Sequence, residues 1–283
     1  MCHNFKNPSN RFRGFPFWAW NSTLNDDELR EQIGIFEKMG FGGFHMHVRQ
    51  GLEVEYLSDD FMHAVSVCAD EAESRGMYAF LYDEDRWPSG AAGGFVTKNK
   101  MYRLKYLQMT ADDCADCYCT PEEAAEHGGC LFVAAFAIQK DSDGFMNGYR
   151  RIERNEAAAD QRYFFVRVAP GGEPRDNYQS YTDTLNKDAM DEFVRITHEA
   201  YYRNFADKFG KTIPAIFTDE PQTIRVEALE NGFSKKEAHL AWTFDFAETF
   251  EKCFGSDITD KLPELFFTSR GSGGFKTRYD YHR

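Results

Sequence analysis

An acidic triplet, Asp83, Glu84 and Asp85, directly follows an apolar run that predicts a buried strand at 77–82. Trp87 comes two residues later, and a segment rich in glycine and alanine follows it. In an α/β barrel, the loops that follow the strands build the active site. We therefore expect the triplet and Trp87 to form one wall of such a site, with a solvated acidic turn as the plainer alternative.

A second acidic pair, Asp219 and Glu220, follows the apolar run IPAIFT at 213–218. Burial beside another acid raises the pKa of a carboxyl group, which suits a general acid that protonates a leaving glycosidic oxygen. Glycosidases use two carboxyl groups, about 5 Å apart in retaining enzymes and about 6.5–9.5 Å apart in inverting ones. Glu220 is the predicted acid, and Glu84 or a carboxylate from elsewhere is the predicted activator of water. Acids that merely cap or salt-bridge the following loop are the alternative interpretation.

Polar and aromatic residues also end the first two predicted strands. Trp20 and Asn21 end the first, while His45, His47 and Arg49 alternate along the second and so share one face. We predict that these five residues bind substrate. The predicted binding set is completed by Asp83, Asp85, Trp87 and Asp219. The histidines and carboxylates leave a metal-dependent hydrolase open, since mixed His and carboxylate ligands suit zinc, and carboxylate oxygens suit calcium.

Four of the seven cysteines cluster in the sequence as C-x2-C-x-C with a fourth further on, namely Cys114, Cys117, Cys119 and Cys130. The spacing differs from that of a standard zinc ribbon. An odd number of cysteines argues against a disulfide framework and favours free thiols. Structural zinc and scattered thiols therefore both remain open for this segment.

The first ninety residues alternate between strand and helix signals. Strands are predicted at 15–20, 41–48 and 77–82, and Asn25 and Ser58 are placed to cap the two helices between them. A glycine follows each helix. This β-α-β-α-β order is typical of parallel crossovers, whose ligand sites collect at the carboxyl ends of the strands.

The alternation is interrupted by a predicted antiparallel insertion, with strands at 130–138 and 163–169. We expect an α/β fold of the (β/α)8-barrel type, with about four β/α units, in the segments 1–107, 108–177 and 178–283. The other predicted elements are a short helix at 99–107, a helix at 187–209, a strand at 213–218, a helix at 234–254, a helical turn at 257–265 and a final loop from 269.

Composition limits the classes of partner. The net charge of −13 argues against nucleic acid and anionic membrane surfaces, which both require basic patches. No stretch approaches the roughly 18 apolar residues of a membrane span. The first residues lack the apolar region of a signal peptide. We therefore expect a soluble, cytoplasmic protein whose substrate is an oligosaccharide or glycoside.

Several segments together resemble the catalytic barrel of bacterial glycosidases near glycoside hydrolase family 106, a group that includes α-L-rhamnosidases. They are FPFWAWNSTL, GFGGFHMHVRQGL, YDEDRWPSGAAGG, YTDTLN, THEAYY and FTDEP, in that order. The resemblance implies a (β/α)8 barrel, an inverting mechanism and, in the rhamnosidases, a calcium ion. It carries Glu220 over as the general acid. It also carries over, as lining of the site, Asn21, His47, Arg49, Asp83, Glu84 and Trp87.

The chain departs from that family in length. A (β/α)8 barrel needs eight strands, and the pattern supplies four. We expect the N-terminal part of a glycosidase, either the product of a split gene or a fragment of a larger enzyme. A C-terminal barrel half or another copy of this chain is its expected partner. An inactive half-barrel that binds carbohydrate is the alternative function.

Overall fold

The computed structural model describes residues 5–172, 177–224 and 232–283. These residues divide into two units, each with its own sheet and its own buried apolar core. The first unit comprises the described residues of 1–96, 173–178 and 187–222, and the second comprises those of 97–172, 179–186 and 223–283.

The described residues form ten strands and eight α-helices. The strands are β1 (Phe17–Trp20), β2 (Gly43–Val48), β3 (Tyr78–Tyr82), β4 (Lys105–Thr110), β5 (Cys117–Tyr118), β6 (Cys130–Lys140), β7 (Met146–Ile152), β8 (Gln161–Val168), β9 (Ile216–Phe217) and β10 (Glu237–Ala241). The helices are α1 (Asp26–Lys38), α2 (Asp59–Ser74), α3 (Pro121–His127), α4 (Lys187–Ile196), α5 (His198–Phe205), α6 (Phe246–Phe254), α7 (Leu262–Phe266) and α8 (Phe275–His282).

The first unit is built on a parallel sheet in the order β1-β2-β3-β9. Its helices begin where the capping residues predict. The Asn25 side chain accepts hydrogen bonds from the N–H groups of Asp27 and Glu28, at 3.0 and 3.2 Å, and the Ser58 hydroxyl accepts one from Phe61. The predicted β-α-β-α-β start, with its parallel strands, is therefore confirmed.

The two faces of this sheet differ in character. One face is covered by helices, and its core contains Trp18, Trp20, Ile33, Phe44 and Phe61, all buried. The other face carries aromatic rings and two imidazoles, which stack on one another along neighbouring strands. Its members are Phe15, Phe17, His45, His47, Phe80, Tyr82 and Phe217. Phe17 on this face is 55% exposed.

The second unit contains a sheet in the order β10-β4-β8-β6-β5, with β7 paired to β6. All of these pairings are antiparallel except the one between β5 and β6. Its main core is apolar, and large side chains from strands and helices fill it, including Leu107, Phe136, Phe164, Leu240 and Phe266. The sheet extends beyond the range 108–177 that the sequence suggested for the insertion, since β4 begins at Lys105 and β10 lies at Glu237–Ala241.

Several predicted elements were wrong. The predicted helix at 99–107 is a short 3-10 turn followed by β4, and the predicted helix at 234–254 begins only at Phe246, since Glu237–Ala241 forms β10. β10 pairs with β4, and buried residues alternate along it. A helix, α8, replaces the predicted final loop.

The predicted helix at 187–209 is interrupted at Thr197, where α4 ends and α5 begins. The Thr197 hydroxyl donates to the Phe193 carbonyl at 2.7 Å and lies 2.8 Å from Nδ1 of His198. A threonine hydroxyl that donates to a carbonyl of the preceding turn competes with the backbone hydrogen bonds of the helix. This break places His198 at the start of a new helix.

The α/β class is confirmed, and the four parallel strands of the described residues form an open sheet with β1 and β9 at its edges. These strands do not close into a barrel within the part of the chain that the structure describes. Across the same residues, no helix is both long and apolar enough to cross a membrane.

Candidate active site

Polar side chains collect at the carboxyl ends of the four parallel strands. Asn21 follows β1, Arg49 follows β2, Asp83 follows β3, and Thr218 begins the segment after β9. Because the strands run parallel, all four ends lie at the same edge of the sheet. The acidic triplet and the acidic pair therefore meet there, as the sequence predicted for a parallel arrangement.

Glu84 organises the loop that follows β3. Its carboxylate is fully buried and accepts five backbone N–H groups, four of them at 2.8–2.9 Å. Burial raises the pKa of Glu84 to about 8, and the N–H donors oppose that rise. The donors are those of Asp85, Gly90, Ala91, Ala92 and Gly93. The structure thus buries Glu84, the predicted water activator, and its carboxylate anchors its own loop.

Asp83 is also buried and is held by hydroxyl groups. Ser89 donates to its Oδ1 at 2.6 Å, and Thr218 donates to its Oδ2 at 2.6 Å. Nε2 of His198 lies 3.6 Å from the same Oδ2. Burial raises the pKa of Asp83, while the two hydroxyls and His198 lower it. His198 was not predicted from the sequence, because the break in the helix that positions it was not predicted either.

Ser89 ties the two acidic segments together. Its N–H donates to the Asp219 carbonyl at 2.9 Å, and its hydroxyl accepts from the Asp219 N–H at 2.8 Å while donating to Asp83. The loop after β3 and the segment after β9 are therefore joined by two hydrogen bonds through one serine, which also bonds Asp83 within its own loop.

His47 and Asp219 face each other at this edge. Nε2 of His47 lies 3.5 Å from Oδ2 of Asp219, and the imidazole stacks on Tyr82 with 4.0 Å between ring centroids. Burial lowers the pKa of His47, and Arg49 lowers it further, whereas Asp219 raises it. His47 is therefore a neutral imidazole at neutral pH, with a partly accessible carboxylate beside it.

Glu220 is exposed and contacts Trp87. The indole Nε1 of Trp87 donates to Oε2 of Glu220 at 3.2 Å. Glu220 has a φ of +47°, in the left-handed region that residues with side chains rarely adopt. Such backbone conformations cluster at functional sites. The structure thus brings together Glu220 and Trp87, which lie 133 positions apart in the sequence.

The remaining predicted residues lie in different places. His45 points to the aromatic face, where it stacks on Phe80 and its Nδ1 lies 3.2 Å from the Phe15 carbonyl. Trp20 points to the opposite, helix-covered face, so the structure does not bring it to the acidic groups. Asn21 and Arg49 are exposed at the strand ends.

Asp85 supports the loop as well. It accepts a hydrogen bond from Nδ2 of Asn177 at 3.2 Å, and the same amide donates to the Gly93 carbonyl at 2.7 Å. Arg86 lies 3.4 Å from the Asp85 carboxylate. Asn177 is a further residue that was not predicted, because only folding brings it to Asp85.

Calcium, which the family resemblance implies, does not fit the two buried carboxylates of this edge, Asp83 and Glu84. Asp83 bonds two hydroxyls and Glu84 bonds five amides, so neither has the uncommitted oxygens that calcium requires. Among the described residues, acidic, histidine or cysteine ligand atoms gather in threes within 4.8 Å only at a cysteine group in the second unit. No step is therefore derived through calcium, and a metal centre on His45 and His47 lacks support.

Comparison with known proteins identifies a solved structure with a similar fold. No protein-family model matches the chain, and no curated protein matches it in sequence. A solved structure described as a rhamnosidase from Novosphingobium sp. PP1Y matches 99% of this chain with a TM-score of 0.57 and 13% identity. The chain spans 44% of the length of that rhamnosidase. At this identity the two proteins share a fold, and kinship with family 106 stays a prediction.

Proposed function

We propose that this chain is the first part of a glycoside hydrolase barrel, in which Glu220 protonates the leaving oxygen. The fold likeness to a rhamnosidase over nearly the whole chain supports the reaction class. α-L-Rhamnosides are the substrates that we propose first, with an inverting mechanism.

The placement of Glu220 is the single observation that carries this proposal. It is an exposed carboxyl group directly after a parallel strand, on a left-handed backbone, with one oxygen held by the Trp87 indole. A general acid must be reachable by the substrate and fixed in direction. Among the predicted carboxyl groups, Glu84 and Asp83 are instead buried and saturated with hydrogen bonds.

The neighbours of Glu220 suit sugar binding. Trp87 is 37% exposed and offers an aromatic surface, while Arg49 and Asp219 offer polar groups at the same edge. His47 is buried and lies beside Asp219, so it can hold that carboxylate in place. We assign Trp87, Arg49 and Asp219 to substrate binding and His47 to the support of Asp219.

The carboxylate that activates water is proposed to come from further β/α units. Glu84 is unsuited to that role, because its oxygens face backbone N–H groups. The open edges of the parallel sheet and the 44% coverage of the rhamnosidase both support additional strands. The catalytic pair would then be completed only in a full barrel.

Leaving-group dependence, measured with the barrel completed by the further β/α units, tests the role of Glu220. A poor leaving group requires protonation and a dinitrophenolate does not, so Glu220→Gln should slow hydrolysis of an alkyl α-L-rhamnoside by roughly 10²–10⁴-fold. We expect a much smaller loss on the dinitrophenyl glycoside. Glu31→Gln, the same change on the exposed side of α1, should match the wild type. Equal rates for Glu220→Gln and wild type on both substrates would contradict the assignment.

A carbohydrate-binding half-barrel is the second candidate function. It is favoured by the aromatic face, on which Phe17 is 55% exposed, and by the open strand edges. Such a chain would bind sugar and gain activity only when another chain completes the barrel. Sedimentation and co-expression with a second barrel half would test this: activity restored by the added half supports it, and full activity of a well-folded monomer contradicts it.

A further inference from the structure

Three cysteines of the second unit converge, although they come from separate segments. Cys114 follows β4, Cys117 lies in β5, and Cys130 is the first residue of β6. Their sulfur atoms all lie within 4.8 Å of one another. Cys130 Sγ is 3.0 Å from Cys114 Sγ and 3.2 Å from Cys117 Sγ.

Strand pairing fixes this convergence. β5 pairs in parallel with β6, and the register sets Cys117 directly opposite Cys130. Backbone hydrogen bonding supports the same arrangement, because the Cys130 N–H donates to the Asp116 carbonyl at 3.2 Å. Cys114 and Cys130 are buried, and Cys117 is half-buried. The three thiols are therefore held together by the sheet itself.

Two arginines approach the same group. Nη2 of Arg167 donates to the Cys114 sulfur at 3.0 Å, and Nη2 of Arg154 donates to the Cys114 carbonyl at 2.7 Å. The guanidinium of Arg167 therefore places positive charge next to the three sulfur atoms, and negative charge that is buried requires such compensation. This arrangement has no role in the proposed hydrolase site, which lies in the first unit.

We propose that Cys114, Cys117 and Cys130 bind a zinc ion as three thiolate ligands. Zinc prefers sulfur ligands in a tetrahedral arrangement at about 2.3 Å, which sets sulfur atoms about 3.8 Å apart. The three sulfurs need to separate by less than about 1 Å to reach that spacing, within the reach of small side-chain rotations.

Cys119 supplies the fourth ligand in this proposal. It lies two residues after Cys117, directly after the end of β5, and is the remaining cysteine nearest to the group in sequence. Its thiol is exposed in this structure, so it is available to turn toward an ion. A closed set of four thiolates is typical of a structural site. The ion would fasten β5 and the segment before it to the start of β6.

Metal analysis of the full chain tests the proposal. We expect one zinc ion per chain after purification without chelator, and cobalt substitution should give thiolate charge-transfer bands and the visible bands of tetrahedral cobalt. Cys117→Ser and Cys130→Ser should each lose the ion and the bands. Cys253→Ser, which changes an exposed cysteine on α6, should retain both. Because Cys117 is only half-buried, its variant keeps the test valid if Cys130→Ser fails to fold.

Two results would overturn the zinc proposal, and a third would change its ligand set. Chain without stoichiometric zinc that also gives no cobalt–thiolate bands on titration would overturn the proposal. A mass two hydrogens below the reduced value, assigned to a Cys117–Cys130 disulfide, would replace the metal site with a redox pair. Cobalt bands unchanged in Cys119→Ser would remove Cys119 from the ligand set.

Discussion

The two units bury polar groups in different ways. In the first unit, the buried acids lie in loops at the ends of parallel strands and bond mainly to backbone N–H and hydroxyl groups, as Glu84 and Asp83 do. In the second unit, Lys105 and Asp183 form a fully buried ion pair at 3.0 Å. Buried acids therefore fix the loops of the candidate site in the first unit, whereas the buried ion pair of the second unit lies in its interior.

Removing the loop anchor should have the largest effect. Glu84→Gln replaces one carboxylate oxygen with an NH2 group that faces N–H donors, so at least two backbone donors lose their acceptor. At about 1–3 kcal/mol for each unsatisfied buried donor, we expect a loss of about 2–6 kcal/mol. Urea unfolding measures it, and Glu31→Gln on the surface of α1 is the matched control.

Hydrogen exchange would show whether the loss is local. Amides of the loop at 85–94 should exchange faster in Glu84→Gln, while those of β6 and β8 in the second unit keep their protection. Uniform loss of protection in both sheets would contradict the contrast between the units.

The matching test in the second unit removes one partner of its buried ion pair, Lys105 and Asp183. Lys105 Nζ also bonds the carbonyls of Met101 and Arg103, and Asp183 accepts from Thr243 at 2.7 Å. Lys105→Met leaves the Asp183 carboxylate buried without its countercharge, which should cost about 3–5 kcal/mol. The measurement is the free energy of unfolding.

An exposed ion pair serves as the control for the loss of a lysine charge. Lys187 bonds Asp191 on the surface of α4, so Lys187→Met should change stability by less than about 1 kcal/mol. A Lys105→Met/Asp183→Leu double variant should recover part of the lost stability, because it removes both buried charges. No recovery would mean that packing, rather than the charge, dominates.

A smaller effect is expected at Trp87, in the substrate site that we propose for the first unit. Trp87→Phe keeps an aromatic ring and removes the N–H that holds Glu220. Loss of one hydrogen bond to a carboxylate should lower kcat/KM roughly 5–30-fold in the proposed hydrolysis. Trp87→Leu also removes the ring, and should raise KM in addition. Equal values for Trp87→Phe and wild type would show that the indole N–H does not position the acid.

The smallest effect is a change in pH dependence. The pKa of His47 is lowered in the folded chain, so below about pH 6.5 the unfolded chain binds more protons at this residue. The contribution of neutral His47 to the stability of the folded chain is fully present above about pH 6.5. It is lost as the pH falls through the lower pKa that His47 has in the folded chain. His47→Gln should therefore flatten the decline in stability on acidification. Urea midpoints across this range measure the slope, and an unchanged slope in His47→Gln would contradict the prediction.

Local signals made the first unit largely predictable. The caps at Asn25 and Ser58 act within three residues, and the apolar runs before the acids belong to single strands. The second unit depends on pairing between distant residues. Leu240 in β10 lies opposite Leu107 in β4, and nothing near residue 240 distinguishes that strand from the helix that its apolar spacing suggested.

The same distinction applies to the candidate site. The acids and Trp87 could be identified because they directly follow strands. The partners that decide their roles could not, since Ser89, His198 and Asn177 reach the acids through folding alone. The sequence also could not show that Glu84 faces inward and Glu220 outward.

The loop anchored by Glu84 has a consequence for protein engineering. All five of its N–H donors lie within the nine residues that follow it, so the conformation is encoded almost entirely inside one short segment. Ser89 provides its connection to the neighbouring strand end through Asp219. A graft of segment 83–94 would keep the hydrogen bonds of Glu84, but it would also need Thr218 and Asn177, which bond Asp83 and the Gly93 carbonyl.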